Sequence, residues 1–166
     1  MATVSLYSTQ ITNRDASPRA LTNSSIVKAQ VYSSIGVIES SAADDIGSVY
    51  YMCTVPSNAR MSALKLSCDS TGTTGTADIG LYQTTANGSA VVDADFFASA
   101  QALTTALKNS DVMLESGVFD PSEMEQPLWE TLGLSADPKI DYDICLTLTE
   151  ATVSAASIAL EALYVV

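Results

Sequence analysis

The chain of 166 residues is long enough for one domain whose core needs no disulfide or metal, and its lack of histidine excludes Ser-His and Cys-His catalytic arrangements. Its composition is 47% apolar and only 16% charged, which suits a surface that lies against other proteins. Residues 39–166 hold four basic and 18 acidic residues (net −14) and residues 1–38 hold three basic and one acidic (net +2), so we expect no nucleic-acid partner for the acidic body.

The first 25 residues are predicted to form an extended arm that precedes a single domain at residues 26–166. The arm is rich in Thr, Ser, Asn and Arg, and Pro18 interrupts any helix. A short strand near residues 4–8 is the one regular element we expect in it. The chain shows no signal-peptide pattern and no run near the ~18 apolar residues of a membrane span, so we expect no membrane partner.

The domain at residues 26–166 is predicted to be mainly all-β, an antiparallel β-sandwich of jelly-roll type. Short β-branched and aromatic runs alternate with Ser/Asp/Gly and Pro/Asn clusters at the spacing of such folds. The first predicted strands are 26–32, 35–39, 47–55 and 61–68. In the last of these, the alternate set Ser62, Leu64, Leu66 and Cys68 is mostly apolar and is expected to face the core.

A hairpin is predicted within residues 76–98. Ala77, Ile79 and Leu81 form an alternating apolar set, and Ala86-Asn87-Gly88 offers the positive-φ residues that a short hairpin needs. This arrangement is typical of a β-sandwich and not of an active site.

Two short helices are predicted near residues 97–107 and 121–132, where apolar residues recur close to the helical period. Pro121 suits the first turn of the second helix. Pro127 conflicts with a continuous helix there, and the alternative is a segment split into two turns.

The chain is predicted to close with a hairpin of two alternating runs, 142–149 and 157–165. In the first run, Tyr142, Ile144 or its neighbours, Leu146 and Leu148 are expected to face inward. With the earlier runs, this gives seven or eight strands in one domain.

The three cysteines, Cys53, Cys68 and Cys145, are predicted to be buried free thiols. Their number is odd, their neighbours are strand-like and apolar, and no CxxC pair occurs. Free thiols indicate that the chain folds in a reducing cytoplasm.

No residue is predicted to be catalytic or to bind a cofactor or a metal. The acidic pairs Asp44-Asp45, Asp93-x-Asp95 and Asp141-x-Asp143 lack the spacing of a calcium loop, so we interpret them as solvated turn carboxylates and leave cation binding open. Asp93 and Asp95 would also need a cleft with aromatic residues beside them to act on a glycan. We therefore expect no enzymatic activity.

Nearly the whole chain resembles a group of small structural proteins encoded in tailed-bacteriophage genomes. The resemblance rests on these segments: NRDASPRALTN (13–23), SIGVIES (34–40), TVPSNAR (54–60), ADIGLYQT, ANGSAVVDADFFASA, ESGVFD (115–120), PLWETLGL and SADPKIDYDICLTLT. It implies a virion component made in the cytoplasm of a bacterial host, of the capsid decoration or auxiliary head protein type. No catalytic residue accompanies these segments.

A decoration role on the outside of the shell is the position that the charge favours, because packaged DNA would repel an acidic body inside it. The expected partners are the major capsid protein and further copies of this chain, with a trimer as the expected oligomer. A tail or head-completion protein is the alternative, and a glycan-binding or glycan-hydrolysing module of the virion is a further one.

The arm is the predicted partner-binding site. Arg14 and Arg19 are expected to face carboxylates of a neighbouring chain, and Val4, Leu6 and Tyr7 to add a strand or an apolar plug. The competing interpretation is that the arm packs on its own domain.

Overall fold

A computed structural model of the chain describes residues 5–24, 26–27 and 29–166. The strands are β1 (Val31–Glu39), β2 (Val49–Pro56), β3 (Arg60–Cys68), β4 (Thr76–Gln83), β5 (Val91–Ala102), β6 (Leu107–Asp111), β7 (Asp141–Leu148) and β8 (Ser157–Val165). The helices are α1 (Thr9–Asp15) and α2 (Leu128–Thr131), with 3₁₀ turns at Thr85–Asn87 and Pro121–Glu123.

The strands form two four-stranded antiparallel sheets packed as a sandwich, which confirms the predicted fold class. Sheet A has the order β1-β8-β3-β6, and sheet B has the order β2-β7-β4-β5. The jelly-roll type stays a prediction.

The core lies between the sheets and is built from the inward set of each strand. Along β3, Leu64, Leu66 and Cys68 are buried as predicted. Ser62 is exposed instead, because a register shift between Met61 and Ala63 breaks the alternation against β8. The four predicted inward residues of β7, Tyr142, Ile144, Leu146 and Leu148, are all buried.

The predicted pairing of the last two strands is wrong. β7 pairs with β2 and β4 in sheet B, whereas β8 pairs with β1 and β3 in sheet A. Alternation identifies the buried side of each strand, and two strands that face each other across a core show the same alternation as two that are neighbours.

The hairpin within 76–98 is confirmed: β4 and β5 are antiparallel neighbours, with Tyr82 opposite Val91. The turn differs in detail from the expectation, since positive φ angles fall on Gly88 (98°) and Ser89 (54°), whereas Thr85–Asn87 forms a 3₁₀ turn.

The predicted helix at residues 97–107 is wrong, because β5 continues to Ala102 and β6 begins at Leu107. Ile79 pairs with Ala98 and Leu81 pairs with Asp93, so two steps along β4 correspond to five along β5. This irregularity buries Phe96, Phe97 and Ala98 in succession. The spacing of apolar residues in this strand therefore resembles the spacing on one face of a helix.

The segment at residues 121–132 is helical in two separate turns, Pro121–Glu123 and Leu128–Thr131, as the alternative interpretation of Pro127 required. Pro127 has an extended ψ of 155° and precedes the first residue of α2. Asp120 caps the first turn, accepting a hydrogen bond from the Ser122 N–H at 2.7 Å.

The predicted strands at 26–32 and 35–39 merge into β1, which begins only at Val31. Gly36 allows this strand to close the sandwich along one edge, because a Cβ at Gly36 would overlap the main-chain carbonyl of Met52 on β2. The Cys53 thiol on β2 also lies 3.2 Å from the Ser34 carbonyl oxygen of β1. β1 therefore lies against β2.

The loop before β2 is held by a hydrogen bond from the Tyr50 hydroxyl to Asp44 Oδ2, 2.6 Å long. Asp44 also accepts the Ser41 N–H at 2.9 Å. Both donors lower the pKa of the Asp44 carboxyl, the Tyr50 hydroxyl most. Burial, and then the bond to Asp44, raises the pKa of Tyr50.

We expect Tyr50→Phe to be less stable than the wild type at pH 7, and the difference to shrink in acid. Asp44 has a depressed folded-state pKa, so its contribution is present above its unfolded pKa and is lost as pH falls through the folded value. Urea midpoints of both proteins at pH 7 and at about pH 3 measure this. Tyr51→Phe is the matched control, because Tyr51 is half exposed; a Tyr50→Phe deficit that is equal at both pH values would contradict the assignment.

Candidate partner-binding site

The arm is a small folded unit and not a wholly extended segment, so the prediction for residues 1–25 is wrong at α1. Ser8 starts the helix, since its side chain accepts the Ile11 N–H at 3.4 Å and its carbonyl accepts the Thr12 hydroxyl at 3.0 Å. Serine is a preferred N-cap residue, and Ser8 was the available signal for this helix. No strand forms at residues 5–8, and the remaining residue of the predicted strand, Val4, lies outside the described residues.

After α1 the chain turns back and runs beside the helix. The Ala20 N–H donates to the Asn13 carbonyl at 3.2 Å, and the Asn13 side-chain amide donates to the Thr22 hydroxyl at 3.2 Å. These bonds connect the returning segment to α1, so the arm is held together by its own contacts.

The apolar side chains of the arm are exposed. Leu6 is 90% exposed, Tyr7 68% and Leu21 95%. Among residues 5–24, all of which the structure describes, none is buried. Burial of a Leu or Tyr side chain stabilises a folded protein by about 2 kcal/mol. Because these arm side chains stay exposed when the body folds, they contribute little of that stabilisation.

The two arginines of the arm line the same concavity, of about 400 Å³, between α1 and the returning segment. Arg14 forms a two-point contact with Asp15, with nitrogen–oxygen distances of 2.7 and 2.9 Å. This contact lowers the pKa of Asp15. The pair is exposed to solvent, so a partner carboxylate can compete for Arg14 at little cost.

A second exposed apolar surface lies on the outside of sheet A, and the sequence patterns did not predict it. We call it the β1 face; it consists of Val31, Ile35 and Val37 of β1 and Ala159, Leu163 and Val165 of β8. Ile35 is 65% exposed and Val37 67%. The alternation of β1 was the available signal, but alternation does not tell which side of a strand faces the core when both sides carry apolar residues.

The β1 face has two carboxylates, each held by a serine of the neighbouring strand. Ser33 donates to Glu161 at 2.9 Å, and Ser157 donates to Glu39 at 2.7 Å. β1 is the edge strand of sheet A, with β8 as its one hydrogen-bonded neighbour in that sheet.

The arm leaves the sandwich at one end, which we call the arm end. The first residue of β1 lies opposite Val165 of β8, and Val165 also lies opposite Arg60 of β3. The turn between β2 and β3 joins the two sheets at this end, so β2 ends there. Because the strands of sheet B are antiparallel, β4 also ends there, and β5 and β7 begin there.

A cavity of about 520 Å³ opens at the arm end, on the sheet B side. Its lining is mostly apolar and includes Val92, Phe96, Val118, Leu132, Ile140 and Tyr142. We call it the arm-end cavity. Asp93 is its one charged lining residue.

Asp93 and Asp95 do not share one cleft. Desolvation and then the Asp95 side chain raise the pKa of Asp93, and the Asp95 N–H donates to Asp93 Oδ1 at 3.3 Å. Glycosidases place both carboxyl groups in one cleft, about 5 to 9.5 Å apart. Asp95 does not line the cavity.

The other residues considered for chemistry lie apart from this cavity. All three cysteines are free and buried, as predicted, and burial raises the pKa of each thiol, that of Cys145 to about 12. Asp143 accepts the Thr54 hydroxyl at 2.6 Å on sheet B. Within residues 5–24, 26–27 and 29–166, no group of three or more Cys, Asp or Glu has the geometry of a metal site, and no helix is long and apolar enough to cross a membrane.

Comparisons with known protein families and with curated proteins give no match. Among solved structures, the chain is similar to a chain of the cyanophage Pam1 capsid asymmetric unit, with 15% sequence identity and a TM-score of 0.47. That alignment covers 83% of this chain and 86% of the Pam1 chain. No functional conclusion rests on a similarity of this size.

Proposed function

We propose that this chain is a non-enzymatic structural protein of a bacteriophage virion that decorates the outside of the head. In this role it binds the major capsid protein and holds neighbouring shell subunits together. The resemblance of its segments to small tailed-phage structural proteins supports the class of function.

The observation that carries the proposal is the arm with its exposed apolar side chains. Leu6 and Leu21 lie almost fully in solvent and Tyr7 is mostly exposed, on a segment that is folded by its own hydrogen bonds. Exposed apolar groups on an ordered segment mark a protein-binding site. In an assembly of many copies, the partner of such a site is present at a high local concentration.

The β1 face supplies a second contact of the same kind, and we propose that it lies against the shell. It combines exposed apolar side chains with two carboxylates, Glu161 opposite Ile35 and Glu39 opposite Ser157, a mixed composition that protein-binding surfaces also have. Several copies joined through their arms would each present this face, which increases the avidity for the shell.

Deletion of residues 2–24 tests the proposal. We expect the truncated protein to lose shell binding by roughly tenfold or more, because each copy then binds singly. Co-sedimentation with shells assembled from the major capsid protein of the same genome measures the bound fraction. The melting temperature of the isolated protein is expected to change by less than about 4 °C, since the arm contributes no buried side chain among residues 5–24.

A matched pair of point variants controls for the loss of apolar surface as such. Leu21→Ser removes an exposed leucine of the arm, and Ile46→Ser removes a 65% exposed isoleucine before β2, at the other end of the sandwich. Weaker binding for Leu21→Ser alone supports the arm. A large fall in melting temperature on deletion would instead mean that the arm belongs to the core, and a sixfold ring at the tail in a particle map would favour the head-completion alternative.

A further inference from the structure

We infer that the arm of one copy binds in the arm-end cavity of a second copy. This inference rests on the proposed function only in assuming that copies lie side by side. The arm is then the ligand, and the arm-end cavity is its receptor.

The cavity has the properties of a receptor for an apolar side chain with a cation nearby. Its volume of about 520 Å³ exceeds that of any single side chain, and apolar groups from β5, the 118–140 segment and β7 form its walls. Val118 at its mouth is 45% exposed, so the cavity is accessible. Asp93 contributes the carboxylate. Its partial burial disfavours the negative charge when no cation is near.

The arm has the complementary chemistry. Leu21 is almost fully exposed, and Arg19 lies two residues before it. A leucine in the cavity would bury apolar surface on both partners, and a guanidinium near Asp93 would compensate the desolvated carboxylate. The charges of the whole chain agree with this pairing, since the net charge is +2 for residues 1–38 and −14 for residues 39–166.

The arm does not fill the cavity of its own chain: Leu21 is 95% exposed, and none of residues 5–24 lines the cavity. β1, from which the arm leaves, is the edge strand of sheet A, and β5, beside the cavity, is the opposite edge strand of sheet B. Since β1 lies against β2, β2 and β5 are separated by three strand spacings, about 14 Å. The root of the arm stays on the sheet A side, where Ile26 and Ala29 line a shallow depression with Arg60 and Met61.

A contact between two different surfaces of the same protein is heterologous, and it closes into a ring when the rotation between copies allows. Each copy then gives one arm and receives one. Two copies that exchange arms reciprocally close as a dimer, and the expected trimer is the smallest closed head-to-tail ring.

Cysteine cross-linking between separately purified single variants tests the inference without shells. Ala20→Cys places a thiol on the arm beside Leu21, at an exposed position, and Val118→Cys places one at the mouth of the cavity. The native thiols are buried, so mild oxidation acts on the introduced ones. One variant carries an extra tag, which distinguishes mixed pairs from like pairs on a non-reducing gel.

We expect mixed Ala20→Cys and Val118→Cys pairs to exceed mixed Ala20→Cys and Ile46→Cys pairs by about tenfold, because binding raises the effective concentration of the two thiols. Equal yields of the two mixtures overturn the inference. In the double variant Ala20→Cys/Val118→Cys, cross-links confined to single chains overturn it as well, since the arm would then fill its own cavity.

A charge exchange tests the ion pair. Arg19→Asp and Asp93→Arg are each expected to reduce the mixed cross-link severalfold, and their combination to restore it. A combined variant that stays as low as either single one overturns the assignment of Arg19 to Asp93. Loss of cross-linking with shell binding retained counts against this inference alone, whereas intact cross-linking without shell binding counts against the proposed function alone.

Discussion

Replacing Phe119 with alanine is expected to lower the free energy of unfolding by about 4 kcal/mol. Phe119 is 1% exposed, and its ring centroid lies 5.5 Å from that of Phe96 and 5.7 Å from that of Phe97. The substitution removes these contacts and leaves a cavity between β5 and the segment that follows β6. Urea unfolding monitored by circular dichroism measures the change.

The surrounding backbone gives a reason to expect that this cavity will not collapse. The Phe119 N–H donates to the Phe96 carbonyl at 3.2 Å, and the N–H groups of Glu115 and Ser116 both donate to the Phe97 carbonyl at 3.0 Å. These bonds fix the segment over β5, so neighbouring side chains cannot move in to fill the space.

Val118→Ala is the matched control for Phe119→Ala, because it changes the adjacent residue in the same segment where the side chain is half exposed. Its expected cost is below about 1 kcal/mol. A Phe119→Ala cost as small as that of Val118→Ala would mean that the three phenylalanines do not form a rigid unit. Because Val118 lines the arm-end cavity, Phe119→Ala is also expected to weaken the arm cross-link.

Gly36→Ala is expected to cost about 3 kcal/mol, although it adds a single methyl group. The new Cβ would overlap the carbonyl oxygen, carbonyl carbon and Cα of Met52. These are main-chain atoms, so no side-chain rotation relieves the overlap and β1 must move away from β2. The free energy of unfolding and the protection of β1 amides from hydrogen exchange both report this change.

Gly47→Ala separates this steric effect from backbone strain. Gly47 has a φ of 85°, and no atom lies within 4 Å of the position that a methyl group would take there. Its substitution therefore costs only the strain of a positive φ, about 1 kcal/mol. Gly36 has no such φ angle. Equal losses of unfolding free energy in the two variants would show that β1 moves away from β2 with little loss of stability.

The main features of the fold could be predicted from the sequence because they depend on local patterns. Alternation along β3 and β7 identified Leu64, Leu66, Ile144 and Leu146 as core residues, and all four are buried. The hairpin between β4 and β5 followed from two alternating runs and a glycine-containing turn. Leu6 and Tyr7 of the arm are exposed, and their binding of a partner stays a prediction.

The pairing of strands and the surfaces of the partner-binding site were decided by the tertiary structure. Whether β8 pairs with β7 or with β1 and β3 depends on contacts between segments far apart in the chain, which alternation does not encode. The irregular pairing of β5, the approach of Gly36 to Met52 and the cavity at Asp93 all arise where two separate segments meet. Composition and periodicity therefore determined which residues are apolar and which side of a strand they occupy, whereas the packing of the two sheets determined which of those residues remain exposed.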